Sequence, residues 1–149
     1  MTEVQVLVGS VFGGALMTAR KIREELGSDQ VSFTVHEKPT LASLTETTGP
    51  VLVCTSTTGQ GEIPANLLPF YAELRDTLPM QEGRPFGVIV LGDSSYGDTY
   101  CGAGELMEEA LYEVAARKVG DTLHIDAMET MEPEEEALPW ARDWVSQVT

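Results

Sequence analysis

The chain has few of the residues from which metal centres and disulfide frameworks are built. Among its 149 residues there are only two cysteines and two histidines. Cys54 lies in an apolar run and Cys101 in a polar one, so the pair matches neither a disulfide framework nor a metal site. We therefore expect no metal.

Positive charge is also scarce, since 9 basic residues stand against 24 acidic ones and the net charge is −15. Nucleic acids and anionic membrane surfaces repel such a protein, so we exclude both as partners. Two interpretations of the charge remain open. It serves only solubility, or it steers the chain onto a basic partner protein.

Long hydrophobic runs are absent. No apolar stretch approaches membrane-spanning length, and the first residues do not combine a basic segment with an apolar one. The simplest expectation is a cytoplasmic protein. The length and the apolar fraction suit a single domain that spans residues 1–149.

The most informative stretch comprises residues 88–102. Four aliphatic residues, Val88 to Leu91, predict a strand that is buried on both faces of a parallel sheet. At Gly92 the sequence changes to a polar loop, and after Gly102 the apolar residues follow one face of a helix. Open α/β sheets bind ligands at such loops, which follow the carboxyl ends of strands. The loop contains Asp93, Ser94, Tyr96, Tyr100 and Cys101.

Four other segments are predicted to be strands, namely Val4 to Val8, Val31 to His36, Pro50 to Cys54 and Val119 to Ile125. Helical spacing follows the first, third and fourth strands, a single turn is expected after the second, and a short helix is expected around Trp140 and Trp144. Alternating strands and helices predict an α/β fold with a doubly wound parallel sheet.

The loop after the first strand contains Ser10, Val11, Phe12, Gly13, Gly14 and Ala15. The unpaired N–H groups at the start of the following helix, together with its dipole, favour an anion such as phosphate. Ser10 can add a hydroxyl donor. The glycine spacing matches neither a dinucleotide fingerprint nor a P-loop. The alternative is that the glycines only permit a tight turn.

The loop after the third strand contains Ser56, Thr57, Thr58, Gly59, Gln60 and Gly61. Its hydroxyls suit a phosphate or the edge of a ring, and its glycines permit unusual backbone conformations. The alternatives are a plain strand–helix connection here and, for Tyr96 and Tyr100, packing beneath a surface loop. Three polar loops at one edge of the sheet together favour a ligand site, at the reversal of strand order between the first and third strands.

At these residues the sequence resembles the short-chain flavodoxins, and most closely the small bacterial flavodoxins of the MioC and YqcA type. The matching stretches are residues 55–64 and 91–96, continued by Tyr100 and Cys101, and the resemblance covers essentially the whole chain. It implies a flavodoxin-like three-layer sandwich whose five-stranded parallel sheet has the order 2-1-3-4-5. The FMN domains of diflavin reductases are also similar.

The resemblance implies noncovalent FMN. The phosphate would lie on residues 10–15, Thr57 to Gln60 would line one side of the isoalloxazine, and Tyr96 would stack on the other. Groups around Asp93, Tyr100 and Cys101 would meet the pyrimidine edge, and the carbonyl near Gly59 would face flavin N5. The expected binding residues are Ser10, Val11, Phe12, Gly13, Gly14, Ala15, Ser56, Thr57, Thr58, Gly59, Gln60, Gly61, Gly92, Asp93, Ser94, Tyr96, Tyr100 and Cys101.

Two departures from the usual flavodoxin pattern stand out. Phe12 and Ala15 replace two hydroxyl residues of the phosphate loop, and Thr58 stands where many relatives have a second aromatic residue. Phosphate binding would then depend on Ser10, backbone N–H groups and the helix dipole. One face of the flavin would be less covered.

The implied function is that of a low-potential electron carrier, a monomer without catalytic residues, which works between a flavodoxin reductase and acceptor enzymes. Glu62 and Asp98 would steer it to basic surfaces. Two alternatives are a flavin-dependent reductase of small quinone-type molecules and a non-redox binding module that has lost FMN. A phosphoacceptor signalling module is a poor match, because the first loop lacks acidic residues.

Overall fold

The computed structural model describes residues 1–11, 13–58, 61–92, 102–126 and 132–149. The strands are β1 (Thr2–Gly9), β2 (Val31–His36), β3 (Val51–Ser56), β4 (Pro85–Gly92), β5 (Arg117–Lys118) and β6 (Leu123–Asp126). The helices are α1 (Gly14–Leu26), α2 (Leu41–Thr45), α3 (Leu68–Thr77), α4 (Gly102–Glu113) and α5 (Pro133–Val148).

All the strand pairs are parallel, and neighbouring strands run in the order β2-β1-β3-β4-β5, with β6 also paired to β4. The predicted order 2-1-3-4-5 is therefore confirmed. The chain moves outward from β1 to β2 and then returns past β1 to β3. The order of strands thus reverses between β1 and β3, as the sequence predicts.

The fifth position of the sheet differs from the prediction of one strand from Val119 to Ile125. Two short strands share it, because β5 pairs with Pro85 and Phe86 whereas β6 pairs with residues 89–92 of β4. Between them Gly120 has a φ of +76°, which is incompatible with extended backbone. This left-handed residue divides the strand.

Both faces of the sheet are covered by helices, which explains the unbroken apolar runs of β3 and β4. Val4, Val6 and Val8 lie in a core cluster with residues of α1 and α5, whereas Leu7 lies in a cluster with residues of α3 and α4. Val88 to Leu91 are all buried. The prediction of a strand buried on both faces is confirmed.

One helix departs from its predicted extent, and a left-handed residue follows the end of another. α5 is longer than the predicted short helix because Pro133 occupies its first turn together with acidic residues, which the positive end of the helix dipole favours. α4 ends at Glu113, so Ala115 lies beyond it with a φ of +65°. Across the described ranges, no helix combines the length and apolarity that crossing a bilayer requires.

A substitution at Gly87 tests how tightly α5 packs on the sheet. A Cβ at this position would lie 2.7 Å from Trp144 Cε2 and 3.0 Å from Trp144 Cδ1, and Trp144 is buried. We expect Gly87→Ala to lower the free energy of unfolding by about 1–3 kcal/mol, as overpacking does. Urea denaturation measures this change.

Trp144→Phe supplies the control, because it removes the indole edge that the new methyl group meets. The double variant should lose less stability than the sum of the two single losses. Strictly additive losses would show that contact between these two residues does not limit the packing.

Candidate functional site

Three polar segments of the chain begin at the carboxyl edge of the sheet. The register pairs Gly9 with Thr55 and Ser56 with Leu91, so β1, β3 and β4 end at nearly the same level. The chain therefore leaves these three strands side by side. Of the predicted binding residues, Phe12, Gly59, Gln60, Asp93, Ser94, Tyr96, Tyr100 and Cys101 lie outside the described residues, as does Asp98.

The first loop forms a turn that its own side chains and backbone hold. Gly13 N–H donates to Ser10 Oγ over 3.0 Å, and Met17 N–H donates to the Gly13 carbonyl over 2.8 Å. Gly13 is the N-cap of α1, with a φ of +89°. The Ser10 hydroxyl keeps its proton for donation elsewhere.

The N–H groups of Gly14 and Ala15 point out of the first turn of α1 without an acceptor among the described residues. Such groups, together with the helix dipole, form a natural site for an anion. Apart from Gly13 and its chain neighbours, no atom of the described residues lies within 4 Å of where a Cβ would stand on Gly13, so these residues leave the approach to this turn open. The described part of this turn therefore offers N–H groups to an anion, and its role as a phosphate site stays a prediction.

Asn66 is a residue of this edge that sequence reasoning missed. Its Oδ1 accepts the Ser10 N–H over 2.8 Å, and its Nδ2 donates to the carbonyls of Val8 and Glu37, each over 2.8 Å. From the sequence, an asparagine just before α3 looks like an ordinary helix cap. Its partners lie 29 to 58 residues away along the chain, so no local pattern identifies it.

The second loop is closed by its own backbone. Thr58 and Glu62 exchange two hydrogen bonds of 2.9 and 2.8 Å, and Gly61 N–H donates to the Thr58 carbonyl over 3.1 Å. Gly61 has a φ of +89°, a backbone conformation that favours glycine, as the sequence predicts for this loop. The Ser56 hydroxyl donates to the Gly9 carbonyl over 3.3 Å and joins the first two loops.

The side-chain hydroxyl of Thr57 has an unusual environment. Its Oγ1 is buried, and the described structure provides no hydrogen-bond partner for it. Buried hydroxyls are normally paired, because leaving one unpaired costs about 1–3 kcal/mol. An unpaired hydroxyl beside the predicted ligand site is therefore the kind of group that a bound polar molecule satisfies.

The start of α4 packs directly against the second loop. A Cβ on Gly102 would lie 2.8 Å from Gly61 Cα and 2.8 Å from the Gly61 oxygen, so only a glycine at position 102 permits this approach. On the other side, a Cβ on Gly14 would lie 3.5 Å from Leu91 Cδ2. These contacts bring the ends of all three loops to one place.

Cys54 lies beneath the first loop. Its thiol donates to the Ala15 carbonyl over 3.4 Å, and burial raises its pKa to about 12. The group therefore stays a neutral thiol at physiological pH. It takes no part in redox or nucleophilic chemistry there, because thiolates perform that chemistry.

Comparison with known proteins assigns this arrangement to a family. A family model described as Flavodoxin matches residues 6–140 of the chain. The chain is a member of the flavodoxin family.

Its curated relatives include Flavodoxin YqcA of Pectobacterium carotovorum, with 40% identity over 99% of this chain and 98% of that protein. Protein MioC of Escherichia coli is 36% identical over 98% of each chain. A solved structure of a C101S mutant of flavodoxin from Pseudomonas aeruginosa is 41% identical and has a TM-score of 0.91 over 99% of both chains. The predicted flavodoxin-like fold and the predicted family are thereby confirmed.

Flavodoxins bind FMN, so FMN is the cofactor of this family member. The described residues fit the cofactor. The open N–H groups of Gly14 and Ala15 suit its phosphate, and the unpaired Thr57 hydroxyl suits a polar group of the same ligand. When bound, FMN supplies redox chemistry, whereas the protein holds and tunes it.

The conformation of Gly13 provides the first test of this site. Gly13→Ala must place an alanine at a φ of +89°, which we expect to cost roughly 1 kcal/mol of stability and to weaken FMN binding. Gly83→Ala is the matched control, because Gly83 also has a positive φ, of +71°, and space for a Cβ but lies just before β4, away from this turn, so that only the FMN affinity should separate the two variants. Thermal unfolding of the apoprotein and titration with FMN measure both effects. Equal behaviour of the two variants would contradict the proposed role of the left-handed turn.

The burial of the Cys54 thiol can be tested through its reactivity and through the pH dependence of stability, in a Cys101→Ser variant where Cys54 is the sole thiol. We expect iodoacetamide to leave it unmodified at pH 8 until the protein unfolds. Its pKa rises from 9.0 to about 12 on folding, so the unfolded chain loses the proton first. Stability should therefore fall as pH rises from 9 towards 12.

A further Cys54→Ala change should remove that part of the slope, whereas other groups that titrate in the same range remain as the baseline. Rapid alkylation of the native protein at pH 8 would show that the thiol is not sequestered.

Proposed function

We propose that this flavodoxin is a low-potential electron carrier that accepts electrons from a reductase and delivers them to acceptor enzymes. Within the family assignment, the observation that carries the proposal is the unpaired Thr57 hydroxyl. It lies in the loop joined through Ser56 to the first loop, whose Gly14 and Ala15 N–H groups are open. A single ligand with a phosphate and further polar groups satisfies both positions.

In the described structure, the proposed binding residues lie in two loops, one that binds the phosphate and one that contacts the rest of the cofactor. Ser10 and the N–H groups of Gly14 and Ala15 hold the phosphate, and residues 56–58 with Gly61 face the remainder. Gly92 ends β4 beside them. We also propose Phe12, Gly59, Gln60, Asp93, Ser94, Tyr96, Tyr100 and Cys101, for which the support is the resemblance to flavodoxins.

The proposed partners have basic surfaces. The chain has a net charge of −15, and Glu62 is exposed at the carboxyl edge of the sheet. Charge of one sign around a site speeds association with partners of the opposite sign. We further propose that residues 1–149 form one domain and act as a monomer in the cytoplasm.

Two measurements on the purified protein test the function. With FMN added and the excess removed, we expect a bound flavin spectrum with quenched fluorescence. With a flavodoxin reductase and NADPH, we expect reduction of cytochrome c that depends on this protein and slows as salt screens the charges. Reductase without the protein is the control.

Other results would point to the alternatives. Protein that leaves FMN fluorescence unchanged would contradict the carrier and favour a non-redox binding module. Rapid turnover of a quinone with NAD(P)H in the absence of a reductase would favour a flavin-dependent enzyme. A salt-independent rate would remove the steering role of the acidic surface.

A further inference from the structure

Asn66 connects three segments of the carboxyl edge through one side chain. Its oxygen accepts from Ser10 N–H, and its nitrogen donates to the carbonyls of Val8 and Glu37, all over 2.8 Å. A carboxamide has two N–H donors and one carbonyl oxygen. Both donors and the acceptor are thus engaged, and the orientation of the side chain is fixed.

These bonds continue into the turn that faces the ligand. Ser10, whose N–H is bonded to Asn66, accepts the Gly13 N–H at its own hydroxyl oxygen over 3.0 Å. Gly13 is the N-cap of α1, and the open N–H groups of Gly14 and Ala15 follow it directly. The sequence of contacts therefore runs from Asn66 through Ser10 and Gly13 to the amides that meet an anion.

Asn66 also fixes the opposite wall of this turn. Glu37, whose carbonyl it binds, directly follows β2, and the adjacent Lys38 is exposed. Together with Ser10, Gly13 and Asn66, these two residues line a cleft of about 260 Å³. The connection after β2 would lack this tie to β1 if the side chain were shortened.

We propose that Asn66 is a positioning residue for the FMN phosphate, an inference that rests on the proposed function. All three of its hydrogen bonds go to backbone atoms of the protein. It sets the direction of Ser10 and hence of the N–H groups that receive the phosphate. Its loss leaves the Ser10 N–H and the Val8 carbonyl without this partner in a partly buried region, whereas water can replace it at the exposed Glu37 carbonyl.

If Asn66 positions the phosphate site, its loss should weaken the binding of the FMN phosphate and leave the binding of the flavin ring unchanged. We expect Asn66→Ala to weaken FMN binding roughly three- to tenfold, the size of one lost net hydrogen bond. Binding of riboflavin, which lacks the phosphate, should change by less than about twofold. Quenching of flavin fluorescence during titration of the apoprotein measures both affinities.

Arg84→Ala is the matched control. Arg84 likewise joins distant loops, since its Nε donates to the Gly49 carbonyl over 2.7 Å and its Nη1 to the Leu44 carbonyl over 2.6 Å. It lies at the opposite edge of the sheet, just before β4. This variant should lower thermal stability and leave the ratio of FMN to riboflavin affinity unchanged.

Asn66→Asp is the second variant, and it keeps the shape of the side chain if Asn66→Ala does not fold. It can still accept the Ser10 N–H, but it cannot donate to the two carbonyls. Its negative charge should weaken FMN binding beyond the loss of the donors, and salt should reduce that excess. Riboflavin affinity should remain close to that of the wild type.

The outcomes separate the inference from the function on which it rests. A parallel loss of FMN and riboflavin affinity, or an unchanged ratio in the variant that folds, would overturn the positioning role while the wild type still binds FMN. Failure of the wild type to bind FMN would overturn the proposed function itself.

Discussion

The pairing of β1 with β3 is the constraint on which the site depends. Gly9 and Thr55 stand opposite each other at the carboxyl end of this pair, and a Cβ on Gly9 would lie 2.9 Å from Leu67 Cδ2 and 3.1 Å from Thr55 Cβ. Only glycine permits so close an approach. It sets the first loop beside the second, and the hydrogen bond from Ser56 to the Gly9 carbonyl holds them there.

This edge of the sheet has features that attract an anion, although the protein as a whole is strongly acidic. Residues 10–15 contain neither lysine nor arginine, so within this turn the attraction for an anion comes from oriented N–H groups and the helix dipole, while Lys38 lines the same cleft. Such groups bind an anion only while the backbone holds its shape. This is why the left-handed Gly13 and the three bonds of Asn66, which constrain the backbone of this turn, matter for the proposed site.

Much of the fold follows from the sequence, because long apolar runs and helical spacing identify elements that are buried. The order of strands and the three loops at one edge were predicted correctly. The division of the fifth strand and the full length of α5 were not. Short edge strands such as β5 carry little hydrophobic signal. The acidic start of α5 also reads as solvated chain until its position at a helix end is known.

By itself, the sequence determined the class of fold, the edge at which the site lies and the resemblance to flavodoxins. These depend on local composition and on periodicity, which the chain carries in any conformation. Only the tertiary structure decided that Asn66 ties β1 to the connection after β2, that Gly102 rests on Gly61, and that the buried Thr57 hydroxyl has no partner among the described residues. The physical reason is the same in each case. Such contacts join segments far apart in the chain, and their geometry exists only once the sheet has formed.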